Sequence, residues 1–360
     1  MNMLRLLTAL SLLLASCGTD TELTPCSSFG APVRIGDRAY LLTWQRNSSS
    51  RTSKLFVDLW AVDVVQMKAI YRSRLQTVAG GALEERSILG VQDKTIWLHM
   101  PDGPYAVSID TGALAMNPDD LTRLNPELRG LLPKEKAAYQ FTPTGLAVKT
   151  IDAQAWHLHP ATFLVSLKAP TGTGPGVLPA EYSLQSSSRL LERGVVAGDR
   201  WTGLLSAKEA ENFPKQHSIG GLDFRSKRAL YSAEVQRVEA DFGPKVRYSQ
   251  FKVLTPEFLA PAVLLQNQDP SSVFVMHKDL LEEKGRYFLS RYSESAGKVV
   301  WNSDLAISEI HSVLPGEKKV LVLGRVNGDH ERLVGVDWAS GAVNGFDLLE
   351  NASYPVKQSQ

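Results

Sequence analysis

His157 and His159 stand two residues apart in a segment that reads as a strand, so both side chains would project from one face. A His-x-His pair can supply two of the three or four ligands of a metal site. The nearest acidic residue is Asp152, and a third ligand would have to arrive from elsewhere in the chain, from His99 or His311. The reading preferred here is surface or turn histidines, with no metal expected. The acidic pairs Glu84-Glu85, Asp119-Asp120 and Glu282-Glu283 are poor acid/base partners, because adjacent residues on a strand face opposite ways. Gly172-Thr173-Gly174-Pro175-Gly176 is rich in glycine, but Pro175 removes an amide donor and no Lys-Ser/Thr follows, so it is not a phosphate cradle. No Gly-x-Ser-x-Gly elbow, His-Glu-x-x-His helix or EF-hand loop is present. No catalytic residue is assigned.

Cysteine chemistry is more informative. Arg5 precedes a short apolar run, Leu6 to Leu14, which is too short for the roughly 20 residues of a membrane span but fits a signal-peptide core of about 7–15. Leu14-Ala15-Ser16-Cys17 follows directly. These four positions resemble the lipobox of bacterial lipoproteins. The resemblance implies cleavage after residue 16 and acyl chains on Cys17, which would attach the protein to a membrane through several lipid chains. Gly18 occupies the position where Asp favours inner-membrane retention in Gram-negative lipoproteins, so an outer-membrane address is expected if the host is Gram-negative. Residues 17–30 read as the lipidated cysteine and a flexible polar tether. Cys26 falls within it, either as a free or capped thiol or as half of an intermolecular disulfide.

The remaining chain is long enough for a sizeable core. Its formal net charge of +1 leaves no basic stripe for nucleic acid, and no nucleic-acid partner is expected.

The elements that would position these residues are short strands in pairs. Residues 39–44 precede 55–63, 95–99 precede 105–110, 271–277 precede 287–292, and 320–324 precede 333–338. Residues 146–150 with 156–158 read as a degenerate unit, and strands resume over 229–238 and 246–254. After the second strand of a pair a tight glycine turn recurs: Asp110-Thr111-Gly112, Ser293-Glu294-Ser295-Ala296-Gly297 and Asp337-Trp338-Ala339-Ser340-Gly341. Glycine permits positive φ there, and the Asp, Ser or Thr can bond back to the turn. Gly297 and Gly341 are 44 residues apart and Asp63 and Asp110 are 47 apart, a period typical of β-propeller blades. Asn117 before Pro118 and the capping-box spacing Ser206 to Glu209 predict short helical excursions, and the Gly/Pro-rich run 169–179 predicts a loop. The seven tryptophans, mostly on predicted strands, are expected to pack between blades.

The expectation is therefore an all-β chain: a propeller of seven four-stranded blades, within a range of six to eight, over residues 31–352, after a signal peptide (1–16) and the tether, and before a tail (353–360). The alternative is a two-sheet β-rich fold without closure. Gly297 followed by Lys298-Val299-Val300-Trp301 is similar to the repeats of quinoprotein-like (WD/PQQ-repeat-type) propellers, where a glycine turn leads into an apolar strand ending in Trp. Gly112 and Gly341 keep the turn and lack the Trp. With the lipobox, the chain resembles bacterial lipoprotein propellers. Quinone enzymes of that group need a calcium site and a cysteine wall. This chain has neither a second cysteine in the expected domain nor a suitable acidic cluster, so no cofactor is expected. The expected function is a membrane-anchored, non-enzymatic scaffold for an envelope protein partner. The alternative is an enzyme or a small-ligand or glycan binder with its site at the mouth of the propeller channel.

Overall fold

The structure, a computed structural model, describes residues 22–23, 26–48, 53–80, 83–142, 145–170, 173–179, 194–212, 227–238, 245–265, 272–280 and 284–348. Six antiparallel sheets follow one another along the chain. Blade 1 carries Arg38–Ser48, Ser53–Asp63 and Lys68–Ala79, with a first strand broken into Glu22–Leu23, Ser27–Ser28 and Val33–Ile35. Blade 2 is Ser87–Gln92, Thr95–Met100, Gly103–Ser108 and Leu114–Met116. Blade 3 is Tyr139–Thr142, Gly145–Lys149, Ala155–Leu158 and Val165–Ser166. Blade 4 is Gly194–Ala197, Arg200–Leu205, Ala229–Val238 and Lys245–Val253. Blade 5 is Leu259–Leu265, Ser272–Lys278, Tyr287–Ser293 and Lys298–Asp304. Blade 6 is Glu309–Leu314, Lys319–Val326, His330–Asp337 and Val343–Asp347. In each blade the strands pair in sequence order, and every predicted hairpin appears as an adjacent pair.

The fold is a β-propeller. Apolar cores join blade 1 to 2, 2 to 3, 4 to 5, 5 to 6, and blade 6 back to blade 1. The last junction closes the ring: Leu321, Leu323, Leu333 and Phe346 of blade 6 pack with Leu41, Trp60 and Val62 of blade 1. First strands of blades 1, 2 and 3 run beside one another, which places the first strand of a blade nearest the axis. Six sheets among the described residues is one fewer than the seven favoured from sequence, and within the expected range. Blade 1 uses strands of 11, 11 and 12 residues, and residues 117–138 form a helix and two 3-10 turns outside the sheets.

Those helical excursions carry the predicted caps. Asn117 Oδ1 accepts the Asp120 amide at 2.9 Å. Ser206 and Glu209 close a reciprocal capping box, with Ser206 N–H donating to Glu209 Oε2 at 2.8 Å and Glu209 N–H to Ser206 Oγ at 3.3 Å. Asn125, at the end of the helix that Asn117 caps, ties it to blade 3, donating to Leu121 O and Phe163 O and accepting from Val165 N–H.

The recurring glycine turns join blades. Gly341 in the third turn of blade 6 has φ +74, and a Cβ there would lie 2.6 Å from Cδ2 of Trp301, on the outer strand of blade 5. The Trp301 indole N–H donates to Ala339 O at 3.2 Å. Gly112 of blade 2 meets Tyr71 on the outer strand of blade 1 in the same way, and the Tyr71 hydroxyl donates to Ile109 O at 3.2 Å. Gly297 has φ +61 and open space around it. The Trp that follows a glycine turn in sequence thus serves the glycine of the next blade. The predicted back-bonds are present: Asp337 Oδ1 accepts the Ser340 amide at 2.8 Å and the Ala339 amide at 3.1 Å, which holds its carboxyl below the usual range.

Trp60, Trp97 and Trp201 are fully buried and Trp338 nearly so, as their packing role requires. Cys26 corrects the tether reading. It is 3% exposed and belongs to the core joining blades 6 and 1. Burial pushes its thiol up to about 12, against a hydrogen bond from Thr43 that lowers it. The flanking pieces 22–23 and 27–28 pair with Arg38–Ser48 and so already belong to the first strand of blade 1. A thiol enclosed in this way is free, and it is not placed for an intermolecular disulfide. Polar composition gives residues 17–30 the look of a linker, whereas 22–23 and 27–28 pair with the next strand of the sheet. Cys17, the leader and the tail 353–360 lie outside the described residues, and among the described residues no helix is long and apolar enough to cross a membrane.

Candidate interaction site

Two faces cap the ring. One carries the turns between first and second strands; the other carries the turns between second and third. On the first face, at the axis, lies a cleft of about 540 Å³ lined by Arg34, Gly36 and Asp37 of blade 1, Leu314 to Lys318 of blade 6, and Val177 with Leu178. Each wall has an identifiable support. Trp338 of blade 6 donates its indole N–H to Gly316 O at 2.6 Å, fixing the 315–318 turn. Gly316 leaves room for the Arg34 guanidinium, which a Cβ would strike. Arg34 donates through Nη1 to Lys319 O at 2.9 Å and through Nε to Gly36 O at 3.1 Å. Burial lowers its pKa, while Asp37 and Glu317 raise it. Two cations and two carboxylates therefore line one opening.

The third wall comes from the Gly/Pro-rich run. Residues 173–179 form a strap rather than a free loop. Val91 and Val177 exchange both backbone hydrogen bonds, at 2.8 and 2.7 Å, across the first strand of blade 2. Gln92 Nε2 donates to Gly174 O at 3.0 Å, and Gly174 N–H donates to Asp93 Oδ1 at 3.0 Å. Gly176 passes so near blade 3 that a Cβ would sit 2.6 Å from Thr142 O. Val177 and Leu178 remain 37% and 50% exposed, facing the cleft.

Toward the opposite face, the seam between blades 6 and 1 is held by charge. Glu331, 1% exposed, accepts the Ser28 amide at 3.0 Å and lies 3.2 Å from His311 Nδ1. Arg325 donates to Ser27 Oγ at 3.2 Å and stands 4.0 Å from Glu331, while Glu309 approaches His311 Nε2 at 3.5 Å. Glu331 raises the His311 pKa by hydrogen bonding, and burial opposes it. A group whose folded pKa is raised stabilises fully below its unfolded pKa, and that contribution is lost as pH climbs through the folded value. The His311 contact is therefore expected to strengthen the seam at acidic pH. His311→Gln should shrink the difference in unfolding midpoint between about pH 5 and about pH 8. An unchanged difference would remove His311 from the seam.

The histidines proposed as ligands do not converge. His157 lies within blade 3, paired with Ala147 and Ser166. His159 Nδ1 accepts the Ala161 and Thr162 amides at 3.2 and 3.3 Å, a turn role. His99 is 2% exposed with its Nε2 2.9 Å from Lys134 O, and His311 is held by Glu331. Among the described residues no group of three His, Cys, Asp or Glu could hold a metal. Glu85 and Asp120 pair with Lys136 and Arg123, and Glu282-Glu283 lie outside the described residues.

No protein family and no curated protein matches this chain. Among solved structures it is similar to TolB from Acinetobacter baumannii, at 12% identity and TM-score 0.26, covering 85% of this chain and 68% of that one. It is also similar to a puromycin-hydrolysing peptidase of Mycobacterium tuberculosis, at 12% identity and TM-score 0.28, covering 90% of this chain and 53% of that one. A puromycin hydrolase gives 11% identity and TM-score 0.32, with 91% of this chain and 55% of that one covered. The chain thus spans about half the length of the two hydrolases. Similarity at this level transfers no activity, and the propeller rests on the six sheets and on the core that brings blade 6 back to blade 1.

Proposed function

We propose that the chain is an envelope lipoprotein, anchored through lipid on Cys17, whose propeller acts as a non-enzymatic platform for an envelope protein. The supporting observation is the axial cleft. It is built on rigid hairpin turns, presents Arg34, Asp37, Glu317 and Lys318 around exposed Val177 and Leu178, and opens on one face of the ring. Mixed charge around a small apolar centre is the anatomy of a protein interface. With a Gram-negative host, Gly18 adds the outer membrane as the address. The docking of Gly112 on Tyr71 and of Gly341 on Trp301 supports a quinoprotein-like repeat type.

The expected result of Cys17→Ala is release from the membrane fraction; retention would overturn the anchor. A photo-crosslinker at Lys318 is expected to capture an envelope protein in intact cells. One at Val300, on the outer strand of blade 5, should not. Capture from Val300 alone would overturn the choice of face. A second reading rests on the size of the cleft, which lies within the roughly 300–1,000 Å³ of small-molecule pockets. Co-purification of a glycan or other small ligand, with no crosslink from Lys318, would favour it.

A further inference from the structure

We propose that the axial cleft takes its partner as an extended peptide, added as a strand to the free edge of the strap 173–179. This deepens the platform reading and rests on it. The strap already shows that an extended segment seats on the axial edge of a first strand: Val177 and Val91 bond in both directions. In an antiparallel pair of that kind, the N–H and C=O groups of the flanking residues point the other way. Those residues are Gly176 and Leu178, and no described residue bonds their backbone groups. The groups point to the side of the strap away from Val91, and Leu178 lines the cleft together with the turns of blades 1 and 6. The edge is short by construction. Pro175 and Pro179 bracket it and lack amide donors, so pairing is confined to Gly176–Leu178. A short proline-bracketed edge resists uncontrolled association while leaving room for one strand.

The occupant's chemistry follows from the walls. Main-chain pairing would supply affinity, and alternate side chains would meet different surroundings. Leu178, 50% exposed, offers apolar contact to one set. Arg34 and Lys318 stand with Asp37 and Glu317 across the opening, so a segment with an apolar residue flanked by charges of both signs fits. A uniformly acidic or basic peptide would meet repulsion from one pair.

The probe is a phage-displayed heptapeptide library panned against the full purified chain, followed by synthetic copies of the selected peptides. Selected peptides are expected to carry mixed charge around an apolar residue, and to lose at least tenfold in affinity when backbone N-methyl groups are placed on residues of one parity. N-methylation at the other parity should leave binding intact. Leu178→Pro, which removes one of the two donors on the free edge, should give a similar loss; the methylation series on the wild-type chain stands even if that variant folds poorly. Equal effects at both parities, selection of no peptide, or binding indifferent to Leu178→Pro in a folded variant would overturn strand addition. The platform reading fails separately, by absence of a crosslink from Lys318. A crosslink there with no parity effect would keep the platform and discard the strand.

Discussion

Asp58→Ala is expected to lower the unfolding free energy by about 3–5 kcal/mol, the cost of leaving a buried charge uncompensated. Asp58 lies in the middle strand of blade 1 and is 1% exposed. Its Oδ2 accepts from Arg72 Nη2 at 2.6 Å and Nε at 3.0 Å, and its Oδ1 accepts from Arg74 Nε at 2.6 Å. The Arg72 guanidinium is itself 6% exposed and stacks 4.8 Å from the centroid of Trp60, whose indole N–H donates to Thr43 Oγ1 at 3.0 Å. Trp60 in turn belongs to the core that closes blade 6 on blade 1. Truncating Asp58 strands Arg72 beside the closure. Urea unfolding followed by tryptophan fluorescence would read the loss. A change under about 1 kcal/mol would mean that the pair is solvated and energetically minor, as exposed ion pairs are.

Gly341→Ala is expected to cost about 2–5 kcal/mol, made up of roughly 1–2 for a left-handed non-glycine residue and roughly 1–3 for overpacking. The overpacking arises because the new Cβ meets Trp301 and lies 2.9 Å from Ser303 Oγ, while Ser303 Oγ donates to Gly341 O and Arg291 Nη1 to Ala339 O. Gly297→Ala is the informative comparison. Its φ of +61 carries the same backbone cost, but nothing lies within 4 Å. The thermal unfolding midpoint should therefore fall well further for Gly341→Ala than for Gly297→Ala. Equal losses would show that the turn conformation alone matters and that the Trp301 contact contributes little to joining blades 5 and 6.

These two positions differ in how visible they were. The glycine turns stood out because positive φ is a local demand that only a few residue types meet, and because their spacing repeats. Which aromatic each glycine serves was hidden: Trp301 follows Gly297 by four residues, yet packs under Gly341, 40 residues on. Asp58 had a faint signal, a lone carboxylate inside the apolar run Leu55–Val62, with Arg72 and Arg74 two apart on the next strand. Pairing those strands in register turns that signal into a site.

Local physics in the sequence determined the strands, the hairpins, the two helix caps and the glycine turns, since each rests on backbone geometry or on bonds spanning a few residues. It also carried the Leu14 to Cys17 pattern behind the proposed anchor. Ring closure was decided only in three dimensions, because the blade 6 core meets blade 1 across nearly the whole chain. The same closure buried Cys26, turning apparent linker into first strand. The cleft depended on it most. Arg34, Val177 and Lys318 are far apart in sequence, and only the shared axis of the blades brings them to one opening.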